Sequence, residues 1–269
     1  MGTDVTSHDS WSSGDSYERY VGRWSRLVAK EFIRWLAIPE NRQWLDVGCG
    51  TGALSQTILQ LTNPKKVKGI DRSEDYVNTA RGRVNHSNAE FEVGDAQSLA
   101  MESDLYDAAV SGLVLNFVPQ PGQMIAEMKR AVKQHGLVAV YVWDYAGKMQ
   151  FMRHFWNAAI ALDPAIADHD EGKRFPICHP DKLAELFQNT GFIGVDVRPI
   201  DISTDFKNFD DYWNPFLGGQ GPAAGYAMSL NEDRRAQLRD RIYNSLPFAM
   251  DRSIPLVART WAVKGFKQE

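Results

Sequence analysis

The first half of the chain alternates short apolar runs with amphipathic segments, a pattern typical of strands that are each followed by a helix. Helical spacing of apolar residues is clearest in residues 54–61, 76–80 and 124–132. Strands joined through helices require right-handed crossovers, so this order predicts a mainly parallel sheet. The predicted strands cover residues 43–46, 67–71, 89–93, 106–111 and 137–143.

The second half of the chain interrupts this alternation twice. Residues 144–178 and 201–253 are rich in aromatic side chains, whereas residues 180–187 predict a further helix and residues 192–200 and 254–263 further strands. The aromatic side chains fit either a buried core or the lining of a pocket. Because the two segments fall between sheet elements, we interpret them as cap segments at the carboxyl edge of the sheet.

Residues 17–36 carry apolar side chains with helical spacing and predict an amphipathic helix before the first strand. The opposite side of this helix is basic, which is typical of a solvated face. The preceding residues 1–16 are rich in Ser and Asp and predict a flexible terminus. They lack the basic and apolar blocks of a signal peptide.

Composition narrows the class of partner. The 269 residues suffice for one large α/β domain or two small ones. A net charge of −4 with a pI near 5.9 argues against a nucleic-acid partner and for a small molecule. The two cysteines, Cys49 and Cys178, have neither disulfide-framework nor metal-site spacing. The most apolar run, residues 108–119, is too short and too polar to cross a bilayer, so we expect a cytoplasmic protein without membrane insertion.

The glycine-rich stretch after the first predicted strand is the strongest sign of a ligand site. Asp46 ends the apolar run, and Gly48, Gly50 and Gly52 follow before a helix begins. Glycine lets the backbone turn sharply and lets a ligand lie directly against it. The Gly-x-Gly-x-Gly spacing differs from the Gly-x-Gly-x-x-Gly of dinucleotide-binding proteins, which disfavours a nicotinamide-dependent oxidoreductase.

Acidic residues also end the next two predicted strands. Asp71 lies about twenty residues beyond the glycines, where a carboxylate can accept hydrogen bonds from both ribose hydroxyls. It could instead cap the following helix, although Ser73 can supply that cap alone. Asp95 follows the third strand in the sequence Gly94-Asp95-Ala96 and could equally be a turn residue. All three acids lie at carboxyl ends of strands, where open α/β sheets bind ligands.

These three motifs, residues 46–52, Asp71 and residues 94–96, together resemble the class I S-adenosylmethionine (SAM) dependent methyltransferases. The resemblance is nearest to the small-molecule type 11 branch, which includes quinone-biosynthesis C-methyltransferases, and it covers residues 17–145 well. It implies a Rossmann-like α/β fold with a seven-stranded, mostly parallel sheet, an antiparallel last strand, helices on both faces and helical cap insertions. It further implies a single domain with a SAM-binding core over residues 17–143 and substrate-lid insertions over residues 144–179 and 201–253.

The resemblance also implies which residues hold SAM. The glycine turn would bind the methionyl end, Asp71 the ribose, and Asp95 with Ala96 the adenine. An amino-terminal helix over the site could bring Arg23 or Arg19 to the methionyl carboxylate. The cofactor-binding residues that we predict are Tyr20, Arg23, Asp46, Gly48, Cys49, Gly50, Gly52, Asp71, Arg72, Asp95, Ala96, Ser111 and Asn116.

Methyl transfer from SAM is an in-line displacement that needs alignment and desolvation, and a general base is optional. The candidate bases are His154, His179, Asp144 and Tyr145, and no residues have metal-site spacing. We therefore expect a monomeric or homodimeric enzyme that methylates a small, partly apolar or aromatic metabolite and releases S-adenosylhomocysteine (SAH). The alternative is a protein of the same fold that binds SAM without turnover, as a sensor or scaffold.

Overall fold

The structure is a computed structural model that describes residues 23–218 and 221–268. The predicted flexible residues 1–16, the start of the predicted first helix and Tyr20 lie outside the described residues. The described part of that helix is α1, Arg23–Leu36.

A seven-stranded sheet confirms the predicted α/β fold. Its strand order is β3-β2-β1-β4-β5-β7-β6, in which β1 to β5 pair in parallel and β7 pairs antiparallel with β5. The antiparallel last strand agrees with the prediction. The strands are β1 (Gln43–Val47), β2 (Lys66–Asp71), β3 (Ala89–Val93), β4 (Tyr106–Gly112), β5 (Val132–Trp143), β6 (Phe192–Ser203) and β7 (Val257–Lys267).

Helices connect the strands, and α-helices form about half of the two segments that interrupt the alternation. Four helices lie in the first half of the chain: α1, α2 (Ala53–Thr62), α3 (Glu74–Arg83) and α4 (Pro121–Ala131). The remaining helices are α5 (Gln150–Leu162), α6 (Glu171–Arg174), α7 (Pro180–Asn189), α8 (Phe209–Trp213), α9 (Pro222–Ser229) and α10 (Glu232–Ser245). The helix α7 ends shortly before Gly191, whose φ of 77° is the left-handed conformation common just after a helix.

The strand register brings three carboxyl ends together. Val47 of β1 pairs with Ile70 of β2, and Asp71 pairs with Val93 of β3. Central parallel strands are buried on both faces, and β1 is accordingly buried from its second residue to its end. The turns that follow β1, β2 and β3 therefore lie at one edge of the sheet.

The last strand differs from its prediction, which placed it at residues 254–263. It begins instead at Val257 and continues to Lys267. Ile254 forms an isolated bridge with Phe206, and the following Pro255 has no N–H to donate to a ladder. The strand thus starts only after the proline.

The chain divides into two compact units. Among the described residues, the sheet unit comprises residues 25–143, 177–200 and 260–268, and the aromatic unit comprises residues 23–24, 144–176, 201–218 and 221–259. The aromatic unit contains most of both predicted insertions. The substrate-lid role of these segments stays a prediction.

The aromatic unit is built on stacked rings. The Phe155 and Phe216 ring centroids are 4.5 Å apart, and Phe151 stacks on Phe216 at 4.6 Å. The hydroxyl of Tyr212 donates to the carbonyl oxygen of Phe151 over 2.7 Å. These four side chains are fully buried, so they form a core rather than the lining of a pocket. Across residues 23–218 and 221–268, no helix is both long and apolar enough to span a membrane.

Candidate functional site

Three glycines shape the turn between β1 and α2. Gly48, Gly50 and Gly52 have φ angles of 74°, 52° and 87°, in the left-handed region where an L side chain costs about 1–2 kcal/mol. The amides of Gly48 and Cys49 both donate to the carbonyl oxygen of Ile70, over 2.7 and 3.0 Å. The turn is thereby fixed to the end of β2, and these two amides are already used within the protein.

The space around the first two glycines differs. A Cβ atom at Gly48 would lie 2.5 Å from Cγ2 of Val114, whereas a Cβ atom at Gly50 would meet no atom within 4 Å. Val114 follows Leu113, whose φ of 63° is strained for a non-glycine residue and whose amide donates to Tyr141 across 2.8 Å. The loop after β4 thus fills the space beside Gly48 and leaves Gly50 open.

Asp71 joins the glycine turn to the start of α3. Its Oδ2 accepts the amide of Gly50 over 2.9 Å, and its Oδ1 accepts the amide of Ser73 over 2.9 Å. The Ser73 hydroxyl itself accepts the amide of Tyr76 and caps α3, as predicted. Burial, together with the charge of Asp71, raises the pKa of Tyr76 to about 12. A carboxylate has about four acceptor positions, so Asp71 can accept further hydrogen bonds.

Asp46 is fully buried at the end of β1. Its Oδ2 accepts the Ser55 hydroxyl over 2.6 Å, whereas no described residue hydrogen-bonds its Oδ1. Burial raises its pKa from 3.8 to about 7, against the lowering effect of the Ser55 hydrogen bonds. In the ligand-free protein this carboxyl stabilises the fold at acidic pH, and that contribution is lost as the pH rises through about 7.

The remaining predicted cofactor residues follow β3 and β4. Asp95 is exposed and accepts the amide of Gln97 over 2.9 Å, which makes it a turn residue with open acceptor positions, and Ala96 is half-buried beside it. Ser111 and Asn116 are different, because the Ser111 Oγ and the Asn116 Nδ2 are buried atoms without a hydrogen-bond partner among the described residues. Unpaired buried polar groups cost about 1–3 kcal/mol, so these atoms are candidates for ligand contacts.

The side chain of Cys49 lies in the hydrophobic core beside the turn. Its thiol is buried, and burial raises its pKa well above the usual value, so it is not a nucleophile at neutral pH. A contact with a ligand would have to come from its backbone. The side chain of Cys49 packs with Val77, Ala80, Val84 and Phe91.

Arg72 follows β2 directly, and its side chain is exposed.

Arg23 has a protein carboxylate as its partner. Its Nη1 lies 3.0 Å from Oδ1 of Asp211, and its guanidinium carbon lies 4.5 Å from the ring centroid of Trp24 and 4.9 Å from that of Phe206. Its Nε and Nη2 are buried and have no partner within the described ranges. The predicted contact of Arg23 with the methionyl carboxylate would therefore have to use these two nitrogens or replace Asp211.

Two of the candidate bases have structural partners. Both carboxylate oxygens of Asp144 accept amides of its own turn, those of Gly147 and Lys148, over 3.0 and 2.9 Å. Such an arrangement fixes the turn after β5. Tyr145 is nearly buried, and its ring lies 5.7 Å from that of Phe175.

The two histidines belong to different units. His154 lies in the aromatic unit with its Nδ1 3.2 Å from Oγ of Ser245, and burial lowers its pKa, so the imidazole is neutral at pH 7. His179 precedes α7 in the sheet unit, and its side chain is 59% exposed at 3.7 Å from Asp181.

Three contributors to this site were missed by the sequence prediction. Ser55 had a detectable signal, because it is a polar residue on the buried side of the amphipathic helix α2. Val114 and the strained Leu113 had none, because their roles depend on how the loop after β4 meets the glycine turn.

A sequence model described as a methyltransferase domain matches residues 38–191 of this chain. The match covers more than half of the chain and includes β1 to β5 and the glycine turn. The chain therefore belongs to the methyltransferase domain family and is a class I, SAM-dependent enzyme. This result confirms the family predicted from the sequence motifs.

Individual proteins agree with this assignment. The demethylmenaquinone methyltransferase of Staphylococcus aureus (strain JH9) is 26% identical over 187 residues, which cover 65% of this chain and 76% of the relative. Among solved structures, phosphoethanolamine N-methyltransferase 2 of Haemonchus contortus has a TM-score of 0.61 at 15% identity, with 97% of this chain and 60% of that chain covered. A Bacillus halodurans C-125 protein described as a methyltransferase has a TM-score of 0.60 at 16% identity, with 90% of this chain and 99% of that chain covered. At these identities the two structures show the fold alone.

The different surroundings of Gly48 and Gly50 predict different stabilities for two alanine variants. Gly48→Ala should lower the free energy of unfolding more than Gly50→Ala, by about 1–3 kcal/mol, because only its methyl group would collide with Val114. Both variants share the left-handed backbone cost, so each is the control for the other. Urea denaturation of the two proteins would measure the difference, and equal losses would contradict the contact.

Proposed function

We propose that this enzyme transfers the methyl group of SAM to a small, partly apolar metabolite, with the cofactor held at the carboxyl ends of β1, β2 and β3. The observation that carries the proposal is the acidic character of the glycine turn. Asp46 and Asp71 flank it, and the amides of Gly48, Cys49 and Gly50 are already bonded within the protein. A pyrophosphate would meet two carboxylates and few free donors, whereas SAM presents a sulfonium, an ammonium group and ribose hydroxyls.

The residues of the turn fit SAM in chemical type. The open space beside Gly50 allows close approach to the backbone, and the unpaired Oδ1 of Asp46 suits a cationic group such as the ammonium. Asp71 retains acceptor positions for the ribose hydroxyls. Asp95 has acceptor positions for the amino group of adenine, with Ala96 beside it.

Catalysis in this enzyme would come from positioning the acceptor against SAM and from excluding water. Bound SAM supplies a methyl group that the sulfonium already activates, so the chain must align the acceptor and keep the site dry. The bonding of Asp144 to its own turn supports leaving it out of the chemistry. His154, neutral at pH 7, retains the properties of a base for an acceptor that needs deprotonation.

Support for a partly apolar acceptor comes from sequence similarity. The name of the Staphylococcus aureus relative specifies demethylmenaquinone as its acceptor. The buried rings of the aromatic unit do not add to this support, because they pack on one another. We therefore propose a small, partly apolar metabolite as the class of acceptor.

Calorimetry with cofactor-stripped protein tests the proposed site. Asp71→Ala should weaken SAM binding by about 1–3 kcal/mol, because the carboxylate would hold both ribose hydroxyls. Asp75→Ala is the matched control, since Asp75 is an exposed acid in the first turn of α3. Absence of SAM binding by the unmodified protein would contradict the proposal, and equal affinities for the two variants would remove Asp71 from the site. Mass spectrometry of reactions with quinones, phenols and amines would then identify acceptors that gain a methyl group.

The raised pKa of Asp46 predicts a pH dependence of cofactor binding. If the bound cofactor favours the ionised carboxyl, SAH affinity should fall about tenfold between pH 8 and pH 6, because a carboxyl with a pKa near 7 must then lose a proton on binding. The Asp46→Asn variant should bind SAH more weakly than the unmodified protein at pH 8. Its SAH affinity should change little between pH 8 and pH 6. Titration calorimetry at four pH values would measure both curves. Parallel curves for the two proteins would show that Asp46 is not the titrating group.

A further inference from the structure

A cavity of about 310 Å³ lies within the aromatic unit, among residues 208–252. None of its lining residues has a role in the proposed cofactor site. Its volume is at the lower end of the range of small-molecule sites, which suits a ligand of one or two rings. Its lining combines three aromatic rings with two arginines, one aspartate and one asparagine.

The three rings form a continuous apolar wall. The rings of Phe209 and Tyr243 meet edge to face with centroids 5.0 Å apart, and Tyr243 and Phe248 follow at 4.8 Å. Phe209 is buried, and the other two rings are half-buried. A planar aromatic ligand can therefore pack against ring faces and edges here.

A guanidinium group stands at each end of this wall. The guanidinium carbon of Arg239 lies 5.6 Å from the ring centroid of Phe209, and that of Arg252 lies 5.4 Å from the ring centroid of Phe248. Nη2 of Arg252 donates to the Tyr243 hydroxyl over 2.6 Å. Arg239 forms no hydrogen bond or ion pair with any residue of the described chain, so its donors are available.

The backbone at Arg252 supports a built arrangement. This residue has a φ of 69°, a left-handed conformation that costs a non-glycine residue about 1–3 kcal/mol. The turn that holds it is closed by two hydrogen bonds, from the amide of Arg252 to Ala249 and from the amide of Ala249 to Ser253. This turn places the guanidinium over Phe248 and against Tyr243.

The charge of the cavity selects the ligand further. Asp210 also lines it, and neither arginine forms an ion pair with this carboxylate. Two arginines and one aspartate leave a net charge of +1, which favours a monoanion over a phosphate dianion. Guanidinium groups bind planar carboxylates through two parallel hydrogen bonds.

We propose that this cavity is a binding site for an aromatic carboxylate. The rings take up the aromatic body of the ligand, and Arg239 and Arg252 bind its carboxylate. The proposal is independent of the methyl-transfer function, because it rests on a different set of residues.

Titration of the full-length protein with 2-naphthoate, followed by ligand fluorescence, tests this site. We expect saturable binding that Arg239→Gln and Arg252→Gln each weaken about tenfold or more, through loss of charge-assisted hydrogen bonds. Arg241→Gln is the matched control, because Arg241 lies exposed on the same helix α10 and does not line the cavity. Asp210→Asn should tighten binding, since it removes a like charge.

Two further probes separate the contributions. Cyclohexanecarboxylate lacks the aromatic face and 2-naphthylmethanol lacks the charge, so both should bind more weakly than 2-naphthoate. Unchanged SAH binding and thermal midpoints would show that the variants are folded. No saturable naphthoate binding, or equal affinities for all three arginine variants, would overturn the site. Either result would leave the methyl-transfer proposal untouched.

Discussion

The glycine turn at the end of β1 is the constraint on which the rest of the site depends. Its first two amides bond to the last carbonyl of β2 before Asp71, and its third bonds to the carboxylate of Asp71. These bonds lock two neighbouring strand ends into one unit. They are possible only because glycine accepts left-handed backbone angles at three alternate positions. The same bonds use up the donors that a phosphate-binding turn would offer, so the turn becomes an acceptor-rich surface suited to a cation.

Burial gives the carboxyl groups of Asp46 and Asp71 different chemical properties. Asp46 is enclosed, raised in pKa and bonded on one oxygen only, whereas Asp71 is half-buried and bonded on both oxygens by backbone amides. An enclosed carboxyl responds strongly to a cationic neighbour, because neutralising a buried charge recovers much of its desolvation cost. A half-exposed carboxylate already held by amides is instead a rigid acceptor for hydroxyl groups. Two chemically identical side chains thus suit two different parts of one cofactor.

Sequence predicted the parallel sheet and the carboxyl ends of β1 to β5 closely, because both follow from local patterns. Periodicity located β1 to β4 to within a residue or two, and the cap of α3 by Ser73 followed from local chemistry. The contacts that sequence did not reveal depend on the folded geometry. Arg23 pairs with Asp211, 188 residues away, and no local pattern announces that pairing. Asp144 resembled a candidate base, yet its oxygens bind amides three and four residues on, a geometry that requires the actual turn. The aromatic segments could be core or pocket by spacing, and only packing identifies their fully buried rings as core.

Amide hydrogen exchange with and without SAH tests the central claim most directly, because it locates the cofactor without assuming which residue binds it. When SAH is added, we expect slower amide hydrogen exchange after each of the first three strands, in residues 48–55, 71–76 and 95–99. Within the glycine turn, the gain should be largest for amides that are not already bonded to β2. Binding of SAH without protection of these three segments, or with protection confined to other parts of the chain, would contradict the account.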